Sequence, residues 1–227
     1  MSHSQNIVRI RAVHDALGEL SQQVIFVGGA TVSLYADRPS VESRPTEDVD
    51  ILIELLNYSS YAELEEVLRK KGFHNDIESG IICRYKVQGI VVDVMPTSGD
   101  VLGFTNRWYQ EGFSNAMQRN IGDECIIRIF QPPYFIASKL EAFKGRGSGD
   151  GRFSSDFEDI IYVLNNRGTI WEEMYTCSSA LKKYLKETFK NISANHYLYE
   201  WVSAHLDYAE QRRTNYILGG IEDFVNS

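Results

Sequence analysis

An α/β half (of the α+β kind, with a mixed sheet) followed by an all-helical half is the fold class this sequence predicts. Three observations carry it. Short apolar runs of strand length recur at 24–29, 48–55, 90–96 and 124–130. Glycine, proline and other turn-forming residues separate those runs. Beyond Pro132 every apolar run has helical period instead. The expected division is a core over residues 1–130 and a helical region over 131–227.

Taken in order, residues 5–20 place Ile7, Ile10, Val13, Leu17 and Leu20 at three- and four-residue steps, an amphipathic helix. Residues 24–29 (VIFVGG) read as a buried strand meeting a tight turn, with a helix starting over 30–36. Residues 38–47 are turn chemistry, and DVDILIEL (48–55) alternates acid and apolar residues as a strand does. Residues 58–72 form a helix stopped by Gly72. IICRYKV (81–87) and IVVDVMP (90–96) are two strands joined by a hairpin around Gln88 and Gly89. Residues 106–118 read as a helix and 124–130 as a strand. Pro132 and Pro133 suit a first helical turn, and 145–152 is a glycine-rich link.

The chain has 227 residues, 43% of them hydrophobic and 24% charged, enough to bury a substantial core without staples. No apolar run reaches membrane-spanning length, and residues 1–15 lack the apolar stretch of a secretory signal. Cys83, Cys125 and Cys177 are odd in number and widely spaced, which predicts three buried free thiols in a reducing cytoplasm. The net charge of −8 is spread along the chain and excludes a generally basic nucleic-acid binder; an RNA contact would need a local patch.

The chemistry concentrates in three acids and two glycines. On a strand Asp48 and Asp50 face the same way, about 7 Å apart, and repel unless a cation sits between them. Hard carboxylate oxygens favour magnesium or calcium over zinc; the bland reading is a solvated strand face. Asp93 interrupts an apolar strand, where an isolated carboxylate is costly to bury. Its partner is either a lysine or arginine, or, if strands 48–55 and 90–96 are neighbours, the other two acids. Three acids on adjacent strands suit two-metal phosphoryl chemistry. Gly28 and Gly29 fall where a strand turns into a helix, leaving backbone N–H groups for a phosphate. The pattern is neither a Walker loop nor GxGxxG.

Val27-Gly28-Gly29, Asp48-Val49-Asp50-Ile51 and Val92-Asp93-Val94 together resemble the DNA polymerase β-type nucleotidyltransferase superfamily, with 18 residues between Gly29 and Asp48, longer than its commonest spacing. Within it, the closer resemblance is to the AbiEii/AbiGii-type toxin nucleotidyltransferases, through Arg44-Pro45-Thr46-Glu47-Asp48-Val49-Asp50, Lys139-Leu140-Glu141-Ala142 and Ser155-Asp156-Phe157-Glu158-Asp159-Ile160. It covers roughly residues 24–165. The resemblance implies transfer of an NMP from an NTP to an acceptor hydroxyl, with Mg2+ (or Mn2+) on Asp48, Asp50 and Asp93. It implies that Gly28, Gly29, Arg44, Thr46 and Lys139 hold the nucleotide, and that Lys139 and Asp156 reach the cleft from the helical region. It further implies a toxin or phage-defence role, tRNA or a protein as acceptor, and a cognate antitoxin.

Read from the residues alone, Lys139 lies on the margin of its helix stripe and is equally a surface residue. Asp156 and Asp159 share a helix face, where acids also complement the helix dipole. Lys182, Lys186 and Lys190 line one helix face, either solvated or on an RNA backbone. Phe104, Trp108, Tyr109 and Phe113 around Arg107 are core or a stacking platform. Two rival functions stay open: an antibiotic nucleotidyltransferase, and a non-catalytic binding or antitoxin module of the same fold.

Overall fold

The computed structural model describes residues 2–38, 42–55, 58–103, 105–146 and 149–227. The chain divides into two compact units: residues 1–34 with 42–131, and residues 35–41 with 132–227. The first unit holds a seven-stranded mixed sheet in the order β3-β4-β5-β2-β1-β7-β6. Its strands are β1 (Val24–Val27), β2 (Asp48–Ile53), β3 (His74–Asn75), β4 (Arg84–Val87), β5 (Ile90–Pro96), β6 (Met117–Asn120) and β7 (Ile126–Ile129).

Strand β2 is central in the sheet, with Val49 and Ile51–Ile53 buried. It runs antiparallel to β1, with Val27 opposite Asp50, and parallel to β5, with Asp50 opposite Asp93. Helix α1 (Ser2–Leu17) packs on β2 and β5. It buries Asn6, Ile10, Val13 and Leu17, which recur at three- and four-residue steps. Helix α2 (Tyr58–Lys70) closes on Gly72, which has φ +88°. In the β4–β5 hairpin Gln88 and Gly89 take φ +50° and +77°, the left-handed pair that a two-residue turn requires. That turn fixes the register, so Val87 faces Ile90 and Arg84 faces Asp93.

The second unit is helical: α5 (Pro132–Arg146), α6 (Ser155–Asn166), α7 (Ile170–Thr176), α8 (Ser179–Ser193), α9 (Leu198–Ala204) and α10 (Thr214–Asn226). Helix α5 opens on Pro132 and Pro133, whose missing N–H groups lose nothing there. Ser154 caps α6, its hydroxyl accepting from the Phe157 N–H at 3.2 Å. Phe143, Phe157 and Trp201 form one aromatic knot with centroids 5.3–5.9 Å apart. Residues 35–38 belong to this unit: Tyr35 stacks on Phe135 at 4.5 Å, and the Asp37 N–H donates to the Asn166 carbonyl.

Several elements depart from expectation. Residues 29–35 form a 3-10 stretch in place of the helix read over 30–36. The helix read over 106–118 is a shorter α4 (Tyr109–Ser114) followed by edge strand β6. Arg128 donates to the Phe113 carbonyl at 3.2 Å, satisfying the end of α4 that the strand cuts short. Strand β4 begins only at Arg84; Ile77–Ser79 form a 3-10 turn closed by Gly80 at φ +69°. Strand β3 and helix α3 (Gly99–Leu102) are additional short elements. Of the thiols expected to be buried only Cys83 is; Cys125 and Cys177 are half-buried, and none of the three is in a disulfide. Phe104 and residues 147 and 148 of the glycine-rich link lie outside the described residues, as do 39–41 of the turn segment.

Candidate acidic site on the sheet

Alternation along β2 turns Val49 and Ile51 into the core and leaves Asp48 and Asp50 half-exposed on the other face. Strand β5 does the same, burying Val92 and Val94 and leaving Asp93 with Val91 and Met95. The parallel register sets Asp50 beside Asp93. One carboxylate oxygen from each of Asp48, Asp50 and Asp93 lies within 4.8 Å of the other two. Three like charges this close need a cation.

Arg84 supplies one. From β4 its Nε donates to Asp93 Oδ1 at 2.8 Å and its Nη2 to Asp93 Oδ2 at 2.8 Å, a bidentate fork. The same Nη2 donates to Asp48 Oδ2 at 3.4 Å. Its side chain keeps 23% exposure. The hydrogen bonds to Asp93 raise the guanidinium above its already high ordinary pKa. Arg84 thus bridges two of the three acids, Asp93 and Asp48. Burial, and then the charge of Asp93, push the neighbouring Cys83 thiol up to about 11.

The glycine turn meets the acids directly. Gly28 has φ +72°, and a β-carbon there would overlap Asp50 Oδ2 and lie 2.7 Å from Asp50 Cγ. Only glycine fits. A β-carbon on Gly29 would overlap Arg44 Nη2 and lie 2.9 Å from Thr46 Cγ2, so both predicted nucleotide residues stand against this turn. Their segment is fixed from α1. The fully buried Asn6 accepts from the Thr46 hydroxyl at 3.2 Å and its amide N–H at 3.4 Å, and donates to the Arg44 carbonyl at 3.5 Å.

In the helical unit Lys139 is 7% exposed, which overturns its reading as a surface residue. Its Nζ lies 2.6 Å from Asp159 Oδ2 and 3.2 Å from Asp156 Oδ1. Arg146 reaches Asp156 at 3.2 Å from a largely exposed position. Lys186 donates to the Ser227 carbonyl, and Lys183 pairs with Glu187 at 3.9 Å. Trp108 and Phe113 are buried, which makes them core, with Arg107 stacked 4.9 Å from the Trp108 ring.

The sequence reading missed Arg84 and Asn6. Arg84 was within reach: a two-residue turn at 88–89 pairs 87 with 90 and, counting outward, 84 with 93. Asn6 gives no such signal, because its partners lie 38 to 40 residues away. The chain matches no known family model, and no curated protein matches its sequence. Among the described residues no helix is long and apolar enough to cross a membrane.

Proposed function

We propose that this chain is a metal-dependent nucleotidyltransferase that moves an NMP from an NTP to an acceptor hydroxyl. The observation that carries the reading is the convergence of Asp48, Asp50 and Asp93 on one sheet face, against a glycine turn that excludes any side chain. The donor set fits Mg2+ or Mn2+: three carboxylates whose hard oxygens lie within 4.8 Å of one another. When bound, divalent ions supply positive charge to the phosphoryl oxygens. In this reading the Gly28–Gly29 backbone, Arg44 and Thr46 hold the triphosphate. The acceptor oxygen attacks the α-phosphorus, the bond to the β-phosphate oxygen breaks, and pyrophosphate leaves. Asp93 takes the hydroxyl proton on a carboxylate oxygen. Lys139 and Asp156 enter through the family resemblance alone, as do a tRNA or protein acceptor, a cytoplasmic setting, a toxin role and a cognate antitoxin.

One observation favours a second reading, a non-catalytic module of the same fold: Arg84 already occupies both oxygens of Asp93. The deciding experiment incubates the protein with each labelled NTP and Mg2+ or Mn2+, in separate arms with total tRNA, with no added acceptor, and with an aminoglycoside. Transfer of label from one NTP, lost in a folded Asp50→Asn variant, is the expected result, and the labelled arm names the acceptor class. No labelling in any arm with either ion sinks the enzyme reading and leaves the binding module.

A further inference from the structure

We propose that Arg84 is an exchangeable cation of this site: it holds Asp93 while no divalent ion is bound, and passes to a nucleotide phosphate when one is. The inference rests on the metal-dependent reading above and adds how that site is loaded. Its basis is the arginine's place. The fork engages both Asp93 oxygens at 2.8 Å, and the remaining contact, 3.4 Å to Asp48, reaches a second of the three acids. A divalent ion shared by those acids meets the guanidinium as a repelling charge and as a competitor for the same oxygens.

The side chain is held in that pose by its hydrogen bonds to Asp93 and Asp48, the oxygens an ion would take. The strand is anchored by the buried Tyr85 and Val87 and by its pairing to β5, while Arg84 lies on the open face at 23% exposure. A guanidinium fork also matches phosphate oxygens as well as it matches a carboxylate. An anionic nucleotide on the Gly28 turn, which abuts Asp50, brings such oxygens to the cluster. Ion and nucleotide therefore bind cooperatively: the ion releases the arginine, and the phosphate gives it a new partner.

The test titrates Mn2+ by the electron paramagnetic resonance signal of the free ion, with and without a non-hydrolysable NTP. Arg84→Gln is expected to bind Mn2+ alone about tenfold more tightly than wild type, and to lose most of the nucleotide's enhancement of Mn2+ affinity. Arg84→Lys, which keeps the charge without the fork, falls between them. Lys86→Gln is the control, because Lys86 shares the strand face but pairs with Asp76 at 2.9 Å. Its Mn2+ affinity should stay within twofold of wild type. Equal tightening in Lys86→Gln overturns the exchange in favour of a diffuse field. Equal or weaker Mn2+ binding in a folded Arg84→Gln overturns it while the metal site stands. Absence of Mn2+ binding in both wild type and Arg84→Gln removes the metal site itself, and the exchange with it.

Discussion

Two clusters built from the same residue types behave oppositely. On the sheet, Asp48 and Asp93 share Arg84 with Asp50 beside them, and the cluster keeps contact with solvent; side-chain exposure of Asp48 is 39%. Between α5 and α6, Asp156 and Asp159 close on Lys139, and all three are nearly inaccessible. The first is open to solvent; the second is closed by Lys139 and Arg146, and buried. Charge kept within reach of water can recruit an ion, whereas paired buried charge mainly fixes the packing around it.

The sharpest way to break that contrast is to remove the cation from each. Lys139→Met strands two buried carboxylates and should cost about 3–5 kcal/mol of stability, unchanged by added Mg2+. Arg84→Gln leaves its acids partly solvated and should cost about 1 kcal/mol or less, recovered by millimolar Mg2+. Urea unfolding followed by circular dichroism reads both. A mild, Mg2+-recoverable Lys139→Met would make the helical cluster a second ion-responsive site and dissolve the distinction.

The glycine turn sharpens the description of the open cluster. Gly28→Ala forces a side chain at φ +72° into Asp50, and should lose about 1–3 kcal/mol together with Mn2+ binding. Gly29→Ala meets the flexible end of Arg44 and the Thr46 methyl group at 2.9 Å but needs no positive φ, and should lose less stability than Gly28→Ala, with the Mn2+ affinity retained. Equal losses in the two variants would mean that the turn serves folding alone.

How much of this was legible follows from which interactions are local. Period-two alternation put Asp48 and Asp50 on one face, and the parallel neighbour added Asp93; both follow from side-chain alternation and β-branched runs. The hairpin at Gln88-Gly89 even encoded the Arg84–Asp93 pair. Met117–Asn120 carries one apolar residue in four, so its strand character comes from pairing to β7 and left no periodic trace; the preceding helix was therefore read too long. Lys139 looked marginal because the acids that bury it stand on another helix. The transfer of residues 35–38 to the helical unit depends on contacts such as Arg167 to the Tyr35 carbonyl, 132 residues apart, which no local pattern announces.

Cys83 offers a pH probe beside the open cluster. Burial raises its folded pKa from an ordinary 9.0 to about 11, so the neutral thiol is favoured in the folded state. The stability it contributes is whole below pH 9 and is lost as pH rises through about 11, a difference of roughly 2–3 kcal/mol. Cys83→Ala should flatten the alkaline limb of the stability profile between those values. An unchanged limb would place the thiol in water.

The smallest effect is expected on the far side of the comparison, where charge is neither clustered with acids nor buried. Lys182, Lys186 and Lys190 share a face of α8, and each phosphate contact they made would add nearly one unit to the salt slope of RNA binding. Lys186 already donates to the Ser227 carbonyl and stacks 5.8 Å from the Phe224 ring, which gives it a role within the helical unit. Lys190 is exposed and Lys182 half-exposed, as a solvated face requires. Replacing all three by glutamine should therefore leave the salt dependence of any tRNA labelling within half a unit of wild type, with a loss of at most about 0.5 kcal/mol in stability. A slope flattened by two or three units, with NTP affinity unchanged, would instead make this face an RNA contact. It would then be a third charged region, one whose exposed lysines meet a polyanion as the open acids of the sheet are proposed to meet a cation.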